Sequence, residues 1–410
     1  MLTAVLKNFP RHAPRHAQGS NHSDLRQFNE GVVLQAIRLH GAQAKADLAR
    51  ITGLTTQTVG VIIQRMLDDG LVLKQAALRG RVGQPSVPIA IHPEGAYAVG
   101  IRLGRRQLDV SLVDFTGRAV LQRSTRYDFP EPEAIFQALD SHLQAVRDHL
   151  ADAVGRVRGA GLAMPFSMSG WQQQLELPPE RLSAWDSLDV RERVQRLSGW
   201  PVTVIKDTAA ACLAELMQGA GQRLAHFLYV FMDTFVGGAV VQNGRLHSGL
   251  HGNAGAIASL PLREAHQAHE ARGDAPPPQL LSSASLLRLE QAFQRAGLEP
   301  SAAYDGRALQ PPWRDASERW LDDTACGLAF AVLQSSALLD HDAVVLDGSC
   351  DPALLQMLLE RTQTALTRYS WEGLLPPRLI CGQLGRSAGV LGAALVPLEP
   401  TLGWQYDISA

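Results

Sequence analysis

The sequence predicts an α/β protein headed by a winged helix-turn-helix. Three observations carry this. Residues 29–92 read as three short helices and a basic hairpin. From Tyr97 onward apolar strands alternate with helices, the pattern of an α/β body. The charge is also split. Residues 1–92 hold 11 Lys and Arg against 5 Asp and Glu, a balance of +6, and the remainder stands at −8. A basic head on an acidic body suits a polyanionic partner for the head.

The bulk composition excludes other classes. The chain has 410 residues, 46% hydrophobic and 19% charged, enough for two or three globular domains. No apolar run approaches the ~18 residues that span a bilayer. The N-terminus, "MLTAVLKNFPRHAPRHAQGS", has no apolar core of a secretory signal. Cys212, Cys326, Cys350 and Cys381 form no C-x-x-C pair, so a reduced, cytoplasmic protein is expected.

Residues 1–27 are rich in His, Arg, Gln and Asn, lack a hydrophobic period and read as a flexible arm. The head follows over 28–92. "NEGVVLQAIRLHG" places Val33, Leu34 and Ile37 on one side and stops at Gly41. "AKADLARITGL" is a short helix closed by Gly53. "TTQTVGVIIQRMLDDG" has Thr55 as N-cap and Val59, Ile62, Ile63, Met66 and Leu67 as its buried stripe. Gly70 ends it. "LVLKQA" and "VPIAIHP" are the wing strands around the basic tip "ALRGRVGQPS".

In the body, "AYAVGIRLGRRQLDVSLVDFTGRAVLQRSTRYD" reads as three strands separated by Gly turns. A helix covers 132–150. "RVRGAGLAMPF" and "WPVTVIKD" are strands, and "HFLYVFMDTFVGGAVVQNGRL" is a strand pair. Helices are expected over 205–220, 283–297, 316–338 and 352–369. "AVVLDGS" and "PRLICGQLG" are the last strands, before the helix "GRSAGVLGAALVPL". The Pro-rich "EARGDAPPPQL" reads as a loop.

The third helix of such a head enters the major groove with its N-terminal residues at base edges. That assigns Thr55, Thr56, Gln57 and Thr58 to DNA. Gln pairs bidentately with adenine, and Thr touches phosphate or the thymine methyl. Lys45 and Arg65 are candidate phosphate contacts, and Arg79 and Arg81 stand at the wing tip. Their alternative is an ordinary solvated face. Gly60, mid-helix, costs about 1 kcal/mol relative to Ala, and close approach of DNA is one reason to keep it.

In the body, Asp207 ends a strand and opens a helix, where an α/β enzyme keeps a general base. Lys206 beside it either pairs with Asp207 or faces an anionic ligand.

These blocks resemble the ROK (repressor, ORF, kinase) family of transcriptional regulators, such as the xylose and N-acetylglucosamine repressors. The resemblance covers about 28–398. It rests on "KADLARITGLTTQTVGVIIQRMLDDGLV", Gly83-Gln84-Pro85, "VGIRLG", "KDTAAACLAE", "VGGAVVQNGRLHSGLHGNAGAIASLPL" and "LGRSAGVLGAAL". It implies an actin/hexokinase-like (ribonuclease H-like) body over 95–400, with lobes of about 95–205 and 206–400 and a ligand cleft. It also implies a repressor of carbohydrate-related genes acting as a homodimer on double-stranded DNA. A small sugar or sugar derivative would be the effector, held by Lys206, Asp207 and Asn253.

The family's kinases follow their first strand with an Asp and a Gly-Gly-Thr-Lys turn for Mg-ATP. This chain has Arg102-Leu103-Gly104-Arg105-Arg106-Gln107, which offers neither metal carboxylate nor Gly-rich cradle. Asn-Asp becomes Lys206-Asp207, the family's Glu becomes Ala256, its His becomes Ser259, and Pro-Gly becomes Pro165-Phe166. Asp207 is then a vestigial base position, and neither enzymatic activity nor a cofactor is expected. The family's zinc-binding Cys motif is missing. His266, His269 and Glu270 have helical spacing but too few ligands, so no metal is expected. The alternatives are a sugar kinase carrying a DNA-binding head, or a regulator without a sugar effector.

Overall fold

The computed structural model describes residues 22–76, 87–168, 184–262 and 278–399. They fall into two compact units, one comprising described residues up to Ile205 together with the segment from Ala393, the other Lys206–Gly392.

The first unit begins with the head. Helix α1 spans His22–His40, α2 Lys45–Thr52 and α3 Thr56–Asp68. The helix α1 starts within the stretch read as an arm. Leu25 in that stretch and Phe28 just after it are exposed, so no burial pattern marks the helix start. Val33, Leu34, Ile37, Leu48, Val59, Ile62, Ile63 and Met66 form the buried centre. Gly53 sits at φ 71°, the left-handed conformation that turns α2 toward α3. Strands β1 (Val72–Lys74) and β2 (Ile89–Ile91) pair antiparallel, Leu73 opposite Ala90. Gln43 bridges to Ile89 through both backbone groups.

The head joins the body without a linker. A 3-10 turn, Pro93–Gly95, leads directly into β3 (Tyr97–Leu103). The Pro93 carbonyl accepts the Phe115 N–H at 2.9 Å, and the Arg156 guanidinium donates to the Glu94 carbonyl at 3.0 Å. His92 meets the Gly70 carbonyl at 2.9 Å. A Cβ on Gly95 would lie 2.4 Å from that carbonyl oxygen, so only glycine fits.

Strands β3, β4 (Gln107–Asp114) and β5 (Ala119–Arg126) form an antiparallel meander. With β6 (Val157–Met164) and β7 (Val202–Lys206) the sheet order is β5-β4-β3-β6-β7. Helix α4 (Pro132–Leu150) buries Ile135, Phe136, Leu139, Leu143 and Val146, a 3–4 residue spacing that gives one apolar face. Helix α5 (Val190–Ser198) is an addition to the sequence reading, capped by Asp189 and stopped at Gly199.

The second unit repeats the plan. Helix α6 (Asp207–Gln218) precedes a meander of β8 (Phe227–Met232), β9 (Gly237–Gln242) and the short β10 (Arg245–His247). Helices α7 (Leu286–Arg295) and α8 (Arg314–Leu339) follow. Then come β11 (Ala343–Gly348), α9 (Pro352–Leu366), β12 (Arg378–Cys381) and α10 (Ala388–Leu395). The order β10-β9-β8-β11-β12 matches the first sheet position for position, with β11 parallel to β8 as β6 is to β3. Strand β8 is buried on every residue, as expected of a sheet covered on both faces. No helix among the described residues is long and apolar enough to cross a membrane.

Candidate nucleic-acid interface and small-molecule site

On α3 the buried stripe leaves the opposite face open. Thr55 caps the helix, its hydroxyl accepting the Thr58 N–H at 3.1 Å and meeting the Thr58 hydroxyl at 2.9 Å. Thr56 and Gln57 are exposed directly behind the cap. One turn on, Val61 is 56% exposed. Among the described residues nothing lies within 4 Å of where a Gly60 Cβ would stand, so their packing does not require it. Lys45 is the first residue of α2 and is half-buried. Arg65 is placed differently: its guanidinium pairs with Glu30 of α1. That pairing ties the end of α3 to α1, and the Arg65 side chain stays 38% exposed. Arg79, Arg81 and the Gly83-Gln84-Pro85 closure lie outside the described residues.

The turn between β3 and β4 is closed by its own residues. Arg102 is only 6% exposed, with Nη1 3.5 Å from Asp109 Oδ2, an ion-pair distance without a hydrogen bond. Asp109 Oδ1 accepts from Gln107 Nε2 at 2.5 Å and Ser124 Oγ at 2.6 Å. Arg105 donates to the Met168 and Ser167 carbonyls at 2.9 and 3.0 Å. The Gly104 N–H goes to the Gln107 carbonyl, and the Gly104 carbonyl accepts from Tyr127 Oη. Arg102, Arg105 and the Gly104 N–H are thus engaged by protein groups.

In the second unit Lys206 is buried at the start of α6. Its ammonium donates to the Gly238 carbonyl at 2.9 Å and the Ala254 carbonyl at 3.3 Å. Burial pulls its pKa down to about 8, against the attraction of Asp207. The amine thus clamps the 248–257 loop to β9, an arrangement neither sequence reading contained. Asp207 Oδ1 accepts the Thr208 N–H at 2.7 Å, and Thr208 Oγ1 donates to the Gly238 carbonyl. Gly249, Gly252 and Gly255 all take φ near 70°, which shapes the loop carrying Asn253. Asn253 is half-buried, and its amide meets no partner among the described residues.

Beneath lies a carboxylate cluster invisible to sequence spacing. Glu215 accepts the N–H groups of Ala220, Gln383 and Leu384 at 2.6–2.7 Å. Asp347 accepts from Tyr229 Oη at 2.8 Å and from the Gly348 N–H. Burial first, and then the neighbouring Glu215, pushes Asp347 up to about 7.

The ROK family profile matches residues 98–399, nearly three quarters of the chain. The chain belongs to the ROK family. The N-acetylglucosamine repressor of Escherichia coli O6:H1 is 24% identical over 256 residues, 60% of each chain. The match thus spans less than two thirds of that repressor. The crystal structure of a ROK family transcriptional regulator, a homologue of the E. coli MLC protein, superposes with a TM-score of 0.68 at 20% identity. It covers 92% of this chain and 97% of its own. A ROK glucokinase from Streptomyces griseus, solved with glucose and AMPPNP, gives 0.58 at 18%, covering 73% and 99%. These likenesses are of fold, which regulators and sugar kinases of the ROK family share.

Within this ROK body, Ala256 leads into the 3-10 turn Ile257–Ser259, and Ser259 is exposed. Neither brings a carboxylate or imidazole to the Asn253 loop. His266, His269 and Glu270 lie outside the described residues. Among the described residues no group of three or more His, Cys, Asp or Glu is arranged to hold a metal.

Proposed function

We propose that this ROK protein is a DNA-binding transcriptional regulator, a repressor of carbohydrate-related genes, and not a kinase. The observation carrying this reading is the contrast between an open recognition helix and a closed β3–β4 turn. Thr56 and Gln57 face outward behind a formed cap, whereas Arg102 and Arg105 are engaged with protein groups. Thr55, Thr56, Gln57 and Thr58 read or position DNA, Lys45 contacts phosphate, and Arg79 and Arg81 supply the wing contact. The Asp207 carboxylate and the Asn253 amide hold hydroxyls of a small sugar-like effector, with Lys206 fixing the loop between them. The named repressor and regulator among the similar proteins support this reading.

One winged module reads few base pairs, so a homodimer on a pseudo-palindrome is part of the proposal. Selection of bound sequences from a random duplex pool with the full chain tests it. An inverted repeat is expected, and enrichment of no sequence over the starting pool rejects the DNA reading. A coupled ADP-release assay over a panel of hexoses is expected to show no turnover. Turnover abolished by Asp207→Asn establishes the kinase alternative instead. Thermal-shift screening of sugars and sugar acids examines the effector, and no response across the panel removes the sugar from the proposal.

A further inference from the structure

The second unit holds a group of cations to which neither DNA binding nor the Asp207 site gives a task. Helices α7 and α8 border a cavity of about 740 Å³, within the usual range for small-molecule sites. Gly327 of α8 stands in its lining. A Cβ there would already lie 2.8 Å from Ser283 Oγ.

Arg288 and Arg295 are seven residues apart on α7, so they share one face, and Arg319 comes from α8. Among the described residues the lining contains one carboxylate, Asp323. Arg288 donates to Gln291 Oε1 at 3.0 Å, but none of the three guanidiniums meets a carboxylate among the described residues. Neighbouring arginines differ: Arg314 and Arg361 pair with Glu318, and Arg361 also with Asp322. Three like charges around one concavity repel one another, and an anion held between them relieves that repulsion.

The walls add shape. Trp320 is buried, its indole N–H fixed on the Ser285 carbonyl at 3.0 Å, so its ring is held in place. Phe330 and Tyr369 pack together at 6.3 Å between centroids and line the cavity as well. Guanidinium forks match the oxygens of a phosphate, and aromatic faces take the flat side of a ring. Asp323 provides an acceptor for a hydroxyl.

We infer that this cavity binds a small phosphate monoester carried on a ring, at a site separate from Lys206, Asp207 and Asn253. The inference is independent of the DNA reading, because its readout needs only the chain and the ligand.

Calorimetric titration of the full chain tests it, with inorganic phosphate, phenyl phosphate, glucose 6-phosphate and neutral glucose as probes. At least one ring phosphate is expected to bind saturably, about tenfold or more tighter than inorganic phosphate. Phenyl phosphate winning marks an aromatic body, and glucose 6-phosphate winning marks a hydroxylated one. Arg319→Glu and Arg295→Glu are each expected to weaken that binding by about tenfold or more, with unchanged melting temperature in the absence of ligand. Arg319→Gln serves if the Glu variant does not fold. Equal affinity for inorganic and ring phosphates overturns the ring site, and absence of saturable binding overturns the whole inference. Binding lost in Asp207→Asn but kept in Arg319→Glu assigns the ligand to the other segment. A change of oligomeric state in Arg319→Glu with undiminished phosphate affinity makes the cavity a subunit contact.

Discussion

The recognition helix and the β3–β4 turn look alike in sequence. Each is a short polar stretch behind an apolar one, "TTQT" in the first and "GRRQ" in the second. The fold treats them oppositely. The helix closes its cap with Thr55 and leaves Thr56 and Gln57 in solvent. The turn directs Arg102 at Asp109 and Arg105 at two carbonyls. Polar residues report a binding surface only when the fold has not already engaged them. Substitutions in the turn should therefore register as stability, and those in the helix as DNA affinity.

The largest expected effect is Arg102→Ala. It leaves Asp109 buried without a counter-charge, and about 3 kcal/mol of stability should be lost by denaturant titration. A variant of unchanged stability that instead loses a nucleotide or anion ligand would break the comparison from the turn's side. Next comes Gln57→Ala. Discrimination at one base position should fall by about 1–3 kcal/mol, measured by competition among single-base variants of the selected site. Melting temperature should stay put; a drop would mean that Gln57 supports the head rather than the DNA.

Gly60→Ala sharpens the contrast because its two readouts should diverge. With open space at the Cβ, helix propensity alone predicts a gain of about 1 kcal/mol in stability. The added methyl group should at the same time weaken DNA binding. Gain in both, or loss in both, removes the idea that the glycine serves an external approach. A further test concerns the buried cluster of the second unit. Asp347, held near 7 when folded and at 3.8 when unfolded, keeps a proton in the native state that the unfolded chain has released. Its contribution is present at low pH and is lost as pH rises through about 7. Asp347→Asn should flatten this term, so the difference in melting temperature between variant and wild type widens in the variant's favour between pH 5 and 8. An unchanged difference across that interval discounts the shared burial of Asp347 and Glu215.

Much of the architecture was legible because it rests on local signals. Thr55, Gly53 and Gly70 mark the ends of the head's helices by capping and left-handed φ, and helix 132–150 carries its whole apolar stripe in sequence. The start of α1 was not legible, since Leu25 and Phe28 stay more than half exposed. Helix α5 had a signal that is easy to pass over: Asp189, Val190, Val194 and Gly199 form a complete cap-to-stop pattern inside a charged stretch. The site was harder to read. That Lys206 would turn to the Gly238 and Ala254 carbonyls depends on residues 32 and 48 positions away. Arg65 meeting Glu30 and Glu215 meeting Gln383 are long-range pairings of the same kind. Spacing reports which face a residue occupies, but not which distant backbone that face will meet.

The Pro93–Gly95 turn has a mechanical consequence. With its carbonyls fastened to Phe115 and Arg156, and Gly95 against Gly70, it is a weld and not a hinge. The head then moves as a lever arm of the β3–β7 sheet. In the proposed dimer, the bodies set the span between the two recognition helices, and the spacing of operator half-sites is expected to follow that span.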